Sequence, residues 1–266
     1  MNMFFHELKA HRKSLMIWCI GVILMVVGGM SKYGGMEASG QSMNELMASM
    51  PKVLQSIMGT GSLDLSTVGG YFGVLFLYLM IMTSIHGAML GANIVSKEER
   101  DKTAEFLLVK PVSRKEIITA KLLASLTNIL ILNITTLTAS ILIVNYYSEG
   151  DRNLTSEIVI LLIGMFILQI LFMVIGTAIA SLNKNSKAAT SLSTGLLLFT
   201  FLLSIIIDLN EKLEGLRFLT PFKYFEAKNI LVGEGLEMVY LLLSLMMILA
   251  SIWVTYFFYE KRDLRI

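Results

Sequence analysis

Six long apolar blocks, none with a charged residue in its middle, constrain the fold of this chain more than any other feature. They lie near residues 15–31, 68–95, 122–144, 158–182, 188–207 and 238–259. A membrane-spanning helix needs about 20 apolar residues, and one charge at its centre costs roughly 2.5–3.5 kcal/mol on insertion scales. The blocks therefore predict an all-α polytopic membrane protein with six transmembrane helices.

The composition agrees with a fold whose solvent is the lipid bilayer. Of the 266 residues, 55% are hydrophobic and only 16% are charged, which is more apolar surface than a soluble domain of this size could bury. We expect a single membrane domain over residues 1–266. The net charge of +2 is too small to favour nucleic acid as a partner, and the single cysteine can form no disulfide within the chain.

Basic residues between the blocks predict the orientation. Of the 22 Lys and Arg residues, 15 fall on the side of the two termini and 7 on the other side. By the positive-inside rule, both termini of this multi-pass protein should be cytoplasmic. The membrane is expected to be the cell (plasma) membrane.

Amphipathic patterns flank several of the blocks. Residues 1–14 predict a helix lying in the membrane interface before the first span, with the n-region of a signal peptide as the alternative. Apolar stripes on both sides of Pro51 predict two short helices in the first outer loop, the second ending at Gly59. Residues 208–237 are expected to form an outer interfacial or re-entrant segment, anchored by aromatic residues around Pro221.

The longest charged run, residues 96–121, lies between the second and third blocks. Two capping boxes predict helix starts there, one formed by Ser96 and Glu99 and the other by Ser113 and Glu116. In each, the serine and the glutamate bind backbone donors reciprocally. The run therefore predicts two helices in succession, the second of which enters the third block.

The first of these helices is expected over residues 97–110, because Pro111 disfavours a helical residue before it. It carries an apolar face beside its charges, formed by Phe106, Leu107 and Leu108. The sequence indicates no soluble domain whose core could cover that face. This pattern indicates a protein partner on the cytoplasmic side.

Polar side chains within the blocks are few. Those that could line a transport path, or equally bond neighbouring helices together, are His86, Asn128, Asn133 and Gln169. No acidic residue lies near the middle of a block, although ion-driven carriers usually keep one there. The energy for any transport is therefore expected to arrive from outside the chain. The Gly69/Gly73 and Gly87/Gly91 pairs permit close helix approach, within the chain or across a dimer.

The sequence offers no apparatus for catalysis. Residues 35–42 have the glycine spacing of a phosphate-binding loop, but Gln41 stands where its lysine is required. There is no nucleophile paired with a base, so we expect no enzyme activity, no metal and no cofactor in this chain. A membrane-embedded enzyme centred on His86 is a weaker alternative. The methionines of the first outer loop could bind copper(I), or form only the apolar stripe of a helix.

A more specific pattern lies in the charged run: Thr103-x-Glu105-x-x-Leu108-x-x-Pro111-x-x-Arg114. It resembles the cytoplasmic segment of ABC-2 type permeases, the membrane subunits of ATP-binding cassette exporters whose ATPase is a separate chain. The likeness covers most of the chain, including the run at 220–225 and the largely charged run at 260–264. Lys102 is a departure, at a place where many relatives have glycine.

The resemblance implies a permease subunit that forms the translocation path of an exporter, together with a second copy or a paralogous permease. A coupling helix over 97–110 would dock on the ATPase, and residues 1–14 would brace it. The docking residues would be Glu99, Thr103, Glu105, Phe106, Leu107, Leu108, Pro111 and Arg114. ATP and Mg²⁺ would bind the partner ATPase. The alternative function is an ion-coupled carrier or a membrane accessory scaffold without a cassette ATPase.

Overall fold

The structure, a computed structural model, describes residues 3–39, 43–60, 63–102, 112–148, 154–183, 185–233 and 235–261. Within these ranges the chain forms helices and turns and no strand. Six of the described helices are long and apolar enough to cross a membrane. The predicted all-α, six-span fold is therefore confirmed.

The long helices are α1 (Met3–Ser39), α4 (Val68–Arg100), α5 (Arg114–Tyr147), α6 (Thr155–Leu182), α7 (Ser186–Leu209) and α9 (Met238–Lys261). Short helices connect them: α2 (Met43–Ala48), α3 (Lys52–Met58), α8 (Ala227–Leu231) and two 3₁₀-helices, Glu211–Leu219 and Pro221–Lys223. The long helices extend beyond the predicted apolar blocks at most of their ends, because the charged flanks continue the same helical turns.

Contacts between helix ends define two sides of the bundle. The start of α1, the end of α4, the start of α5 and the end of α9 meet on what we call the terminal side. The short helices lie on the opposite side, which we call the loop side. There Tyr33, near the end of α1, donates to the Ser66 carbonyl oxygen at 3.1 Å.

The centre of the bundle is the pair α4 and α6, which cross at close range. A Cβ on Gly91 would lie 2.0 Å from the Met173 carbonyl oxygen, and a Cβ on Gly176 would lie 2.5 Å from that of Ala88. Only glycine allows backbones to approach this closely. The close approach expected at Gly87 and Gly91 thus occurs within the chain, between α4 and α6.

The two predicted capping boxes have different outcomes. At Ser113 the box is confirmed: Ser113 Oγ accepts from the Glu116 backbone N–H at 3.2 Å, and Glu116 Oε2 accepts from the Ser113 N–H at 2.8 Å. At Ser96 the predicted helix start is wrong, because α4 continues through it to Arg100. Inside a continuous helix the backbone donors are already satisfied, and Ser96 Oγ instead donates to the Ala92 carbonyl oxygen at 2.7 Å.

The N-terminal segment is helical, as predicted, but its helix runs into the first span without a break. Residues 3–39 form one uninterrupted helix of 37 residues, so no helix end separates the expected interfacial helix over 1–14 from the first span. The segment contains no proline that would break the helical hydrogen bonds. At 1.5 Å per residue α1 is about 55 Å long, which exceeds the roughly 30 Å hydrocarbon core of a bilayer. Its ends must therefore project from the hydrocarbon core, or the whole helix must tilt.

The two short helices of the first loop are confirmed. Pro51 directly precedes α3, and Gly59 ends it with φ 70°, the left-handed conformation that glycine favours. Residues 208–237 are less regular than a single re-entrant helix, since they form 3₁₀-turns and the short α8. The expected aromatic anchors Phe222, Tyr224 and Phe225 are buried in the bundle core, where Phe222 lies 5.4 Å from the ring centroid of Phe172.

Candidate functional site

The predicted docking segment, 97–110, is described only at its ends. Residues 97–100 form the last turn of α4, where Glu99 is partly buried. The docking candidates that lie outside the described residues are Thr103, Glu105, Phe106, Leu107, Leu108 and Pro111. Arg114 begins α5 and donates from Nη1 to the Glu260 carbonyl oxygen at 3.1 Å. This contact fastens the start of α5 to α9.

The turn that leaves α4 contains Lys102 in a left-handed conformation, with φ 55°. Among the described residues it is the only non-glycine residue with a positive φ. A side chain there costs roughly 1–2 kcal/mol, whereas glycine adopts this region readily. The conformation gives a physical reason why glycine suits this position.

Next to this turn, four charged side chains form what we call the terminal-side ion cluster: Glu7, Lys97, Glu98 and Lys121. Lys121 is fully buried, and its Nζ donates to Glu98 Oε1 at 2.6 Å and to the Ile94 carbonyl oxygen at 2.5 Å. Glu7 Oε1 lies 3.6 Å from the same ammonium, and Glu7 Oε2 lies 3.7 Å from Lys97 Nζ. The cluster therefore joins α1, α4 and α5.

The surroundings of this cluster are apolar on one side and hydrogen-bonded on the other. Ile94, Val95, Ile117 and Ile118, which lie close to Glu98 and Lys121 along α4 and α5, are buried in one apolar cluster. Low water access strengthens charged contacts. On the far side of α4, Arg100 Nη1 and the Thr190 hydroxyl both donate to Asn93 Oδ1, at 2.7 and 3.1 Å. The last turns of α4 are thus held by α1, α5 and α7 together.

The sequence did not single out this cluster. Lys121 was visible only as one charge in a longer run, and Glu7 as part of an amphipathic pattern. Their pairing depends on a contact across 114 positions of the chain, from Glu7 to Lys121. The only local signal was the position of Lys121, at the predicted start of the third span, where a lone charge needs a partner.

Three of the four polar candidates in the spans form one chain of hydrogen bonds. Asn133 Nδ2 donates to Gln169 Oε1 at 2.6 Å, and Gln169 Nε2 lies 2.9 Å from His86 Nδ1. Because the Gln169 oxygen already accepts from Asn133, its amino group faces His86, whose Nδ1 then accepts. The His86 ring also lies edge-on to Trp18, with centroids 5.1 Å apart. This chain joins α4, α5 and α6 and adds a ring contact to α1.

The fourth candidate, Asn128, does not belong to this chain. Its side-chain amide donates to the Ala124 carbonyl oxygen of its own helix at 2.8 Å. In the membrane interior, interhelical hydrogen bonds such as those among Asn133, Gln169 and His86 contribute about 0.6 kcal/mol on average and at most about 1.7. The arrangement of His86, Asn133 and Gln169 can fix the relative positions of three helices.

A cavity of about 460 Å³ opens on the loop side. It lies between α3, the start of α4, the end of α7 and the segment around 221–228. Aromatic side chains form part of its wall: Phe76, Phe201 and Phe222. Charged residues line it as well: Lys52, Asp208, Lys223, Glu226 and Lys228. Its volume falls within the range of small-molecule sites.

Lys223 is the most buried of these charged residues, and it forms what we call the loop-side ion cluster with Asp208, Glu226 and Lys228. Its Nζ contacts Asp208 Oδ1, and it donates to Glu226 Oε1 at 2.5 Å. Lys228 pairs with the second oxygen of Glu226 at 3.2 Å. Burial opposes the charge of Lys223, but Glu226 and Asp208 outweigh it and raise its pKa above the ordinary value.

A metal site would need several ligating side chains grouped together in the described part of the chain. There, no three His, Cys, Asp or Glu side chains are grouped so that they could hold a metal ion. Met30, one of the methionines considered for copper(I), is fully buried in the apolar core. The loop-side carboxylates Asp208 and Glu226 form ion pairs with lysines.

Comparison with protein families gives the decisive observation. The sequence profile of the family described as ABC-2 family transporter protein matches residues 1–264. The chain belongs to this family. It is therefore a multi-pass membrane protein and a permease component of an ABC transporter, and its family works with separate ABC ATPase subunits. No curated protein matches the chain in a sequence search.

Proposed function

We propose that this permease is the membrane subunit of an ABC exporter and that its terminal side faces the cytoplasm. The observation that carries the proposal is the family match over residues 1–264, on a chain with six helices able to span a membrane. The excess of basic residues on the side of the termini, 15 against 7 of the 22 in the chain, supports the orientation. The resemblance to exporter permeases supports the direction of transport.

The ATPase would dock on the segment 97–110, between the end of α4 and the start of α5. Phe106, Leu107 and Leu108 would fill an apolar groove on the ATPase, as anchor residues do at interfaces. Glu99 and Glu105, with Arg114, would supply charge at the rim and fix the orientation. The capping box at Ser113 and the Arg114 contact to α9 would give the segment a firm exit into the membrane domain.

Transport would follow from movement of this segment. Two permease chains, identical or paralogous, would pair, each with one ATPase. Closure of the ATPases on ATP would push the segments, and α4 and α5 would carry the displacement into the bilayer. A path between the two permeases would then open toward the loop side. ATP and Mg²⁺ would act on the ATPase chains, and this chain would contribute the path and the docking surface.

The first test is capture of the ATPase. The tagged permease is purified from native membranes, and co-purifying nucleotide-binding subunits are identified by mass spectrometry. We expect an ABC ATPase to be recovered whose hydrolysis rate changes when the permease is bound. The variants Phe106→Asp and Leu107→Asp should each abolish recovery, because a buried carboxylate without a partner costs several kcal/mol.

Leu219→Asp is the matched control, since Leu219 is an exposed leucine on the loop side, away from the segment. It should leave recovery of the ATPase unchanged. If the wild-type chain recovers no ABC ATPase, the proposed function fails. If the complex survives both Phe106→Asp and Leu107→Asp, docking through this segment is wrong, while the family assignment stands.

A further inference from the structure

The terminal-side ion cluster occupies the place where movement of the segment 97–110 would enter the membrane domain. Glu98 lies in the last turn of α4, and Lys121 lies two turns into α5 after the cap at Ser113. The first turn of the segment and the helix that follows it thus each supply a member of the cluster. Glu7 brings α1 to the same point, although α1 adjoins neither flank in sequence.

The chemistry of the cluster resists separation of the three helices. Lys121 has three N–H donors; two bind Glu98 Oε1 and the Ile94 carbonyl oxygen, and Glu7 Oε1 is the nearest carboxylate oxygen for the third. Pulling α5 away from α4 would leave an ammonium and a carboxylate unpaired in an apolar, water-poor setting, which is strongly unfavourable. Apolar side chains could slide past one another at far lower cost.

The charges within the cluster are balanced. Glu7 and Glu98 carry two negative charges, and Lys97 and Lys121 carry two positive ones. His11 Nε2 lies 3.9 Å from Glu7 Oε2. Because Glu7 is shared between Lys97 of α4 and Lys121 of α5, its position depends on both helices at once. A displacement of either helix is therefore transmitted to α1.

We propose that Lys121 is a positioning residue for ATPase coupling: with Glu98 and Glu7 it makes α1, α4 and α5 move as one unit when the segment between α4 and α5 is displaced. The inference rests on the proposed function, since it concerns how the docking movement enters the bundle. Lys121 itself touches neither the ATPase nor the transported molecule. Its role is to keep the three helices together during the movement.

The test separates binding of the ATPase from coupling to it. In complexes with the recovered ATPase, Lys121→Met should retain binding, because the docking residues are intact. The permease-dependent change in ATP hydrolysis should fall about 2- to 30-fold, the range of residues that modulate coupling. Lys121→Arg, which keeps the charge, should lose less. Lys115→Met is the matched control: this exposed lysine of α5 pairs only at the surface with Glu260, at 3.6 Å, and should leave coupling unchanged.

A distance measurement tests the joint movement directly. In a Cys19→Ser background, spin labels are placed at Lys13 of α1 and Leu123 of α5, both exposed. In the wild-type complex the distance between the labels should stay the same without nucleotide and with ATP and vanadate. In Lys121→Met it should shift or broaden when nucleotide is trapped. A purely stabilising role would not change a nucleotide-dependent distance.

The outcomes are distinct. If the wild-type chain binds no ATPase, the proposed function fails. If wild type couples and Lys121→Met matches Lys115→Met in both hydrolysis and label distance, the inference fails. If Lys121→Met does not fold, Glu7→Gln is tested in its place. This substitution removes the charge of Glu7 and keeps the Lys121–Glu98 pair. Reduced coupling in Glu7→Gln supports the inference, and unchanged coupling and distance overturn it.

Discussion

The two ends of this bundle each hold a buried lysine between two carboxylates, yet the two clusters are built differently. On the terminal side, Lys121 is held by Glu98 and Glu7, which come from two other long helices. On the loop side, Lys223 is held by Asp208 and Glu226, all within 19 positions of one another. The first cluster ties distant parts of the chain together, and the second ties the end of α7 to the connecting segment that follows it.

Exposure to water follows the same division. The side chains of Glu7 and Glu98 are 2% and 14% exposed, whereas those of Asp208 and Glu226 are 36% and 20% exposed. Water screens charges on the loop side and can replace a lost partner. On the terminal side less water reaches the partner carboxylates. The free energy of each lysine–carboxylate pair therefore depends on the access of water to the carboxylates as well as on the burial of the lysine.

The largest expected effect is the difference between removing the two lysine charges. Lys121→Met should lower the free energy of unfolding by about 3–5 kcal/mol, because it leaves buried carboxylates uncompensated. Lys223→Met should cost less, about 1–3 kcal/mol, since its partners can be hydrated. SDS-induced unfolding in mixed micelles measures both. The exposed Lys115→Met should stay within about 0.5 kcal/mol of wild type. Equal losses for Lys121 and Lys223 would contradict the comparison.

Two glycines of α4, Gly91 and Gly73, differ in what a side chain at their position would meet. At Gly91 a Cβ would meet the Met173 carbonyl oxygen of α6 at 2.0 Å, and backbone cannot move aside easily. At Gly73, toward the loop side, a Cβ would meet only the methyl ends of Leu63 and Leu231, each at 2.9 Å. Flexible side-chain ends can turn away. The position of α4 is therefore set more tightly at Gly91.

Alanine substitution at the two glycines should reveal this difference. Gly91→Ala should cost about 1–3 kcal/mol, because it forces α4 and α6 apart. Gly73→Ala should cost less than about 1 kcal/mol, since alanine also favours the helix by roughly 0.5–1 kcal/mol over glycine. The same unfolding titration compares them. A larger loss at Gly73 than at Gly91 would show that the loop side is the more rigid one.

How far the sequence predicts this structure depends on the range of the interactions. The six spans, the two short helices around Pro51 and the cap at Ser113 follow from local composition and spacing, and they are confirmed. The cap at Ser96 has the same local pattern but fails, because the preceding helix continues through it. A serine and a glutamate three positions apart do not show whether the preceding residues are already helical.

The parts of the candidate site that were missed depend on contacts between distant positions. His86, Asn133 and Gln169 were named as possible interhelical partners, but nothing local could show that they bind one another in one chain. The pairing of Glu7 with Lys121 and the cavity on the loop side arise only when the helices pack. The docking residues 103–111 lie outside the described residues, so their role stays a prediction.

The smallest expected effect concerns the turns that end helices on the two sides. On the loop side, α3 ends at Gly59, whose φ of 70° suits glycine. On the terminal side, the turn after α4 places Lys102 at φ 55°. The loop side therefore has the residue that its backbone favours, and the terminal side carries strain within the docking segment, at Lys102.

Substitutions at Gly59 and Lys102 should change the free energy of unfolding in opposite directions. Gly59→Ala should cost about 1–2 kcal/mol, because it puts a Cβ in the left-handed region and 2.7 Å from a methyl carbon of Leu77. Lys102→Gly should stabilise the protein by about 0.5 kcal/mol, since relief of the strain exceeds the entropy that glycine loses on folding. Lys115→Gly, inside α5, is the control and should destabilise by about 1 kcal/mol. If Lys102→Gly lowered the free energy of unfolding as much as the control does, the left-handed turn at Lys102 would carry no strain. The turns that end α3 and α4 would then not differ in backbone strain.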